Sequence, residues 1–343
     1  KKLIRNPIKL EVSCSLVGSG GLNSFCQELL PELNNSCDLK VRNFTIGENW
    51  KGYNETPHDL DIQDRHKQIL HKQTLFNSDG SRSDYPIYNS ENNFIPNINL
   101  VMDGIDHYYF YDNYIGPKIA YTMYETTKFP EDFLNQLRTF DQLWIPSTWQ
   151  KQNLIKQNFP EQKLKVVPLG VDGNTFFPIE DKFEKFTFIL IGRWDARKST
   201  MEIIKCFKDC FGNNKNVELL LLVDNPFDID GLGSTKNRLT HYDLESDNIK
   251  ILSFISRKEY ISLLQKSHVF LSCSRAEGWN LPLIEAMACG NVSVYSNCSA
   301  QLEFAKDFGV PINILGEESA LVYSNRQFDK GISGNYYIPD FKH

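Results

Sequence analysis

Val269-Phe-Leu-Ser272-Cys-Ser-Arg-Ala-Glu277-Gly-Trp-Asn-Leu-Pro282-Leu-Ile-Glu285-Ala-Met-Ala-Cys-Gly290-Asn-Val292-Ser-Val-Tyr295 reads as strand, loop, helix and strand. Val269–Ser272 is a short apolar run, Pro282 sits where first-turn prolines belong, and Gly290 closes the helix. Val292–Tyr295 then returns to extended chain. Two strands joined by a helix pair in parallel, so this unit predicts an open α/β sheet.

Working outward, the same alternation recurs. Phe186–Ile191, Val217–Val223 and Ile249–Phe254 read as strands, with helices over Thr200–Phe211 and Arg257–Lys266. Pro168-Leu-Gly-Val-Asp172 through Phe177-Pro178 breaks the rhythm and is a hinge candidate. Before it, Ile98–Met102, Lys118–Tyr124, Gln142–Ile145 and Lys165–Pro168 are extended, and Glu131–Thr139 and Thr148–Asn158 helical. Residues 47–97 form a polar excursion with a helix candidate around Asp61–Leu75, preceded by a strand over Val41–Ile46. The first strand, Ile8–Val17, runs into Gly18-Ser-Gly-Gly21 and a helix bearing Leu22, Phe25, Leu29 and Leu30. The pattern predicts two Rossmann-like doubly wound domains, 1–170 and 171–343, facing each other across a ligand-binding cleft.

Bulk properties agree with two ordinary domains: 343 residues, 41% hydrophobic and 23% charged. A net charge of −6 excludes a general nucleic-acid binder, which needs a basic surface. The eight cysteines form no CxxC pair and read as free thiols in a reducing compartment, so a cytoplasmic location is expected. No apolar run approaches the ~18 residues of a membrane span, which leaves peripheral membrane contact compatible with the chain. Because the sequence begins Lys-Lys, it is read as part of a longer chain.

Three segments can carry chemistry. Free amides at Gly278, Trp279, Asn280 and Leu281, together with the helix dipole, make an anion site. Glu277 and Glu285 are suited to accept hydrogen bonds from paired sugar hydroxyls; a capped surface helix with two solvated glutamates is the competing reading. Gly192-Arg193 and Lys198 would neutralise a diphosphate leaving group, unless the string is a solvated turn. Gly20 and Gly21 allow backbone to approach a phosphate or sugar, or simply make a tight turn; without a third glycine, bound NAD is not expected.

Glu277 to Glu285 resembles the E-x7-E motif of retaining glycosyltransferases, with Glu-Gly-Trp-Asn-Leu-Pro in place of the common Glu-Gly-Phe-Gly-Leu-Pro. Gly192-Arg193 with Arg197-Lys198 resembles that family's diphosphate-binding pair, and Val167–Asp172 its interdomain junction. Trp144–Trp149 looks like the end of its first domain, and Gly18–Gly21 like its N-terminal glycine loop. The family is family 4 of the GT-B glycosyltransferases (glycosyl transferases group 1). The resemblance implies a GT-B fold, hexosyl transfer (EC 2.4), retention of anomeric configuration and no bound metal. A nucleotide-diphosphate sugar, UDP- or GDP-linked, would be the co-substrate, with no bound cofactor. It also implies that Arg193 and Lys198 hold the diphosphate, Glu285 the ribose hydroxyls and Glu277 the transferred sugar. Amides at Gly278–Leu281 would serve the phosphates or sugar.

Acceptor-side candidates in the first domain are Asp103, Asp106 and His107, which follow a strand end, and Glu125. The acceptor would be a hydroxyl of a glycan, a lipid or a protein glycan. Rival functions are a sugar-nucleotide epimerase or phosphorylase on the same fold, or a non-catalytic nucleotide-sugar-binding module of a larger protein.

Overall fold

Residues 8–14, 21–45, 74–75, 95–102, 116–212, 214–225, 230–252, 255–323 and 332–342 are described in the computed structural model of the chain. The chain divides into two compact units, one of Lys1–Met123, Glu131–Ile145 and Asn158–Val167, the other of Tyr124–Pro130, Pro146–Gln157 and Pro168–His343.

The first unit contains β1 (Lys9–Cys14), α1 (Gly21–Ser36), β2 (Asp38–Thr45), β3 (Thr74–Leu75), β4 (Ile98–Met102), β5 (Lys118–Tyr121), α2 (Glu131–Arg138), β6 (Gln142–Ile145) and β7 (Leu164–Val166). Its seven strands lie in the order β3-β2-β1-β4-β5-β6-β7, all parallel. Strand β1 ends at Cys14, short of Val17; the remainder lies outside the described residues. Of the helix candidate at 61–75, only Thr74 and Leu75 are described, and they pair with β2 as a strand. Tyr121 anchors the far edge by donating its hydroxyl to the Val167 carbonyl at 2.9 Å.

The second unit begins with α3 (Thr148–Lys156), capped by the Ser147 hydroxyl, which accepts from the Gln150 N–H. It continues through β8 (Phe186–Arg193), α4 (Thr200–Phe211), β9 (Val217–Asp224), α5 (Thr235–His241), β10 (Ile249–Ile251) and α6 (Arg257–Lys266). Then come β11 (Val269–Ser272), α7 (Leu281–Ala288), β12 (Val292–Ser296), α8 (Leu302–Ala305), β13 (Val310–Ile312), β14 (Ile314–Ser319) and β15 (Asn335–Pro339). Six parallel strands take the order β10-β9-β8-β11-β12-β13, and β14 and β15 form a separate antiparallel pair. Helix α5 and the β14–β15 pair were not legible as apolar periodicity. Ser256 and Glu259 make the capping box that starts α6.

Alternation along the strands builds this unit's two cores. Leu190, Leu219, Leu221, Val269 and Leu271 pack with Ile203, Ile204 and Phe207 of α4. Their neighbours Ile189, Leu220 and Phe270 face Leu264, Leu283 and Ala286 on the other side. A sheet covered on both faces needs such near-continuous apolar strands. Residues 124–130 belong here because Thr127 and Asn335 of β15 bond to each other reciprocally, and Gln150 donates to the Tyr124 carbonyl at 2.8 Å.

Candidate functional site

In the second sheet the strand order reverses between β8 and β11, which pair with Leu190 opposite Leu271. Loops leaving the carboxyl ends of two such strands open onto a common crevice, where open α/β sheets bind ligands. Residues 194–199 follow β8 and residues 273–280 follow β11, so the two cation- and carboxylate-bearing segments become neighbours. They are clasped together reciprocally. The Arg275 N–H donates to the Arg197 carbonyl at 2.7 Å, and Arg275 Nε to the Ala196 carbonyl at 3.0 Å. Arg197 Nη1 returns a bond to the Ala276 carbonyl at 2.9 Å. Arg275 is held in turn by Glu202 at 2.9 Å, Glu318 at 2.7 Å and the ring of Tyr323.

Glu277 lies at the centre of this crossing, only 3% exposed. Its Oε1 meets Lys198 Nζ at 2.6 Å and Arg197 Nη1 at 3.1 Å. Burial pushes the carboxyl up, but the Lys198 and Arg197 cations outweigh it and hold Glu277 at about 2. Its main chain is fixed by the Ser299 hydroxyl, which accepts the Glu277 N–H at 3.0 Å, and by the Ala300 N–H on its carbonyl at 3.3 Å.

Arg193 and Lys198 are linked through Asp195, which accepts Arg193 Nε at 2.6 Å and the Lys198 N–H at 2.8 Å. Burial opposes the Asp195 charge, and Arg197 and Arg193 overcome it, so its carboxyl sits below the usual range. Gly192 takes φ +148°, a backbone conformation that favours glycine, and the Lys198 stem packs beside it within ordinary contact distance. An ammonium carries three donors, and Glu277 takes one of them.

Beyond Glu277, the amides of Gly278, Trp279, Asn280 and Leu281 have no hydrogen-bond partner among the described residues, although the first three residues are buried. Unpaired buried amides at a helix start are what an anion or a sugar oxygen would satisfy. Asn280 is the N-terminal cap of α7 at φ +90°, a conformation that favours glycine. Its carboxamide donates to Ser272 Oγ and to Gln301 Oε1, both at 2.8 Å, which supports the strained position. Trp279 is buried against Phe304, with ring centroids 5.1 Å apart.

Glu285 lies on α7, buried, with Arg257 Nη2 at 3.3 Å and the Tyr260 hydroxyl donating to its Oε2. Burial, reinforced by the Glu285 charge, keeps the Tyr260 phenol neutral. The structure therefore brings Arg193, Lys198 and Glu277 into one linked cluster, followed by Gly278–Leu281 and α7. Glu125 joins it from the 124–130 segment through Arg197 Nη2 at 3.2 Å. Gly21 opens α1, while Gly20, Asp103, Asp106 and His107 lie outside the described residues. Arg275, Ser299, Arg257 and Tyr260 were missed by sequence reasoning. Each acts through a partner distant in sequence, so although the helix carrying Arg257 and Tyr260 was legible, their contact with Glu285 was not.

Residues 173–318 match the family model for glycosyl transferases group 1. This segment, fewer than half of the chain's residues, is similar to glycosyl transferases group 1. The matched segment contains every element of the cluster except Glu125. In sequence the chain is 42% identical over 59 residues to putative glycosyltransferase 48 of Sulfolobus islandicus filamentous virus, covering 17% of this chain and 18% of that one. It is 29% identical over 162 residues to the UDP-Gal:alpha-D-GlcNAc-diphosphoundecaprenol alpha-1,3-galactosyltransferase of Escherichia coli, covering 43% and 40%. The chain thus spans well under half the length of these curated relatives. Anabaena HepE, solved in complex with UDP-glucose, superposes with a TM-score of 0.67 at 14% identity, covering 89% of this chain and 85% of that one. That likeness, with the two parallel sheets, gives the chain the GT-B fold.

Proposed function

We propose that the protein is a retaining, family 4 glycosyltransferase that moves a hexose from a nucleotide-diphosphate sugar to a hydroxyl acceptor. The observation that carries this reading is the buried Glu277 carboxylate, held ionised by Lys198 and Arg197 where β8 and β11 end. Arg193 and Lys198 receive the diphosphate, the unpaired amides of Gly278–Leu281 serve the phosphates or sugar, and Glu277 accepts from the hydroxyls of the transferred hexose. Glu285, oriented by Arg257 and Tyr260, accepts from the ribose. In this mechanism the bond from C1 to the diphosphate breaks toward Arg193 and Lys198, and the acceptor hydroxyl attacks C1 from the same face, passing its proton to the departing diphosphate oxygen. Side-chain cations and a helix start supply the positive charge that a divalent ion would otherwise bring, so the reaction is metal-independent.

UDP- and GDP-sugars are the first donors to try, since the E. coli relative is named for UDP-Gal and HepE was solved with UDP-glucose. Residues 171–343 form the donor side, to which Gly20 and Gly21 also contribute, and residues 1–170 the acceptor side, with Asp103, Asp106, His107 and Glu125 as its candidates. All eight cysteines are free thiols, which supports a reducing, cytoplasmic setting. Among the described residues no helix is long and apolar enough to cross a membrane. The test is nucleoside-diphosphate release across UDP-, GDP-, ADP- and dTDP-sugars, with Glu277→Ala and Lys198→Ala beside the native chain. Release from one donor, lost in both variants, is expected. A donor that binds without release in the presence of any hydroxyl acceptor would make the chain a binding module, and an inverted anomer by NMR would end the retaining mechanism.

A further inference from the structure

A broad, open cavity of about 610 Å3 lies beside the Ser299 loop that holds the Glu277 main chain. Its lining, among the described residues, belongs to the second unit and includes Trp149, Gln152, Asn297, Ser299, Glu303 and Tyr337. Ser299 links it to the candidate site, because the same residue accepts the Glu277 N–H. Three features define what would fit there.

The first is a fixed aromatic pair. Trp149 Nε1 donates to the Tyr337 hydroxyl at 3.1 Å, and the ring centroids are 6.5 Å apart. Both rings are half-buried. The bond satisfies the indole N–H, while the Tyr337 hydroxyl keeps its own O–H to donate, so the pair offers apolar ring surface with one hydroxyl donor at its edge. Burial pushes the Tyr337 phenol up, so it stays a neutral partner.

The second is a set of uncommitted amides. Gln152 and Asn297 are exposed, and their carboxamides have no hydrogen-bond partner among the described residues. Each offers both donors and an acceptor. The third is charge. Among the described residues no lysine, arginine or histidine lines the cavity, and the one charged residue is Glu303, whose Oε1 accepts the Trp149 main-chain N–H at 3.2 Å. A phosphate would meet repulsion and no cation, so this is chemically distinct from the Arg193–Lys198 region. A neutral ring with an apolar C–H face and hydroxyls around its edge satisfies all three features. That is a pyranose.

We propose that this cavity is a saccharide subsite in which Trp149 and Tyr337 form the platform and Gln152, Asn297 and Glu303 read hydroxyls of a sugar unit of the acceptor. The proposal rests on the transferase reading for the word acceptor; the chemistry of the cavity stands without it. Acceptors ending in a sugar are thereby favoured over simple lipid alcohols.

The experiment is saturation-transfer NMR on the whole chain with the methyl pyranosides of glucose, galactose, mannose and N-acetylglucosamine. UDP and GDP binding is measured on the same samples. At least one glycoside should receive saturation on its ring C–H protons. Losing the platform in Trp149→Ala should weaken it about ten-fold. Trp149→Phe, which keeps a ring, and Lys205→Ala, exposed on α4 and outside the lining, should retain it. Gln152→Ala, at an exposed position, should weaken it without altering the melting temperature. The proposal is overturned if no glycoside is saturated with or without nucleotide, or if Trp149→Ala and Gln152→Ala both bind like the native chain. Nucleotide binding without saccharide binding sinks this inference and leaves the transferase reading standing. Saccharide binding without any nucleotide binding does the reverse.

Discussion

Lys198 and Glu277 stand 79 residues apart in sequence, yet Lys198 Nζ lies 2.6 Å from Glu277 Oε1. A buried ion pair of this kind is costly to break from one side only, because the remaining charge keeps its desolvation cost without its partner. Arg197 joins the pair from the next position, so the carboxylate is held between two cations. The group proposed to bind the diphosphate and the group proposed to bind the sugar are therefore one electrostatic unit.

A double-mutant cycle on Lys198→Met and Glu277→Gln should show that coupling. Each single change should destabilise more than its effect in the presence of the other, with a coupling of about 1–3 kcal/mol in urea unfolding. Additive effects would mean that the pair carries no energy in solution.

Acid stability follows from the Glu277 carboxyl, lowered from 4.5 to about 2 in the folded chain. Since folding favours the ionised form, its contribution is complete above pH 4.5 and drains away as pH falls toward 2. The native chain should lose melting temperature across that window more steeply than Glu277→Gln. Parallel curves would show that Glu277 titrates normally.

Asn280 combines φ +90° with two side-chain hydrogen bonds, and the two can be separated by substitution. Asn280→Gly loses the bonds and gains conformational ease. Asn280→Ala loses the bonds and adds a left-handed penalty of about 1–2 kcal/mol. Alanine should therefore be the less stable variant by about that amount, and equal stabilities would remove the backbone argument.

Arg275 donates to Ala196, Glu202 and Glu318 from one planar group. A lysine's three donors sit on one nitrogen and cannot span acceptors set around a planar guanidinium, so Arg275→Lys should cost about 2–4 kcal/mol in chemical unfolding. Because the Arg275 clasp sets the spacing of the two loops, nucleoside-diphosphate release should fall as well, even where the variant is folded. Unchanged release would assign Arg275 to stability alone.

Much of this was written in local sequence. Helices α4 and α6 and strands β4, β6 and β11 fall at the positions their apolar periodicity predicts, because each is an amphipathic or fully buried element with its own stop signals. The loop from Glu277 to Glu285 was legible for a similar reason: its carboxylates, amides and helix start are consecutive in the chain. Glu125 was legible only as a candidate, and its contact with Arg197 depends on a segment tied to β15 from across the sequence.

By itself, then, the sequence determined two runs of alternating strand and helix and the chemical groups at their loops, since periodicity and capping act over a few residues. Tertiary structure alone decided which loops meet. Strand order sets β8 beside β11, which delivers Lys198 and Arg197 to Glu277, and packing of α6 on α7 delivers Arg257 and Tyr260 to Glu285. The ionisation of Glu277 belongs to the same level, because desolvation and its opposing cations exist only once these distant segments are buried together.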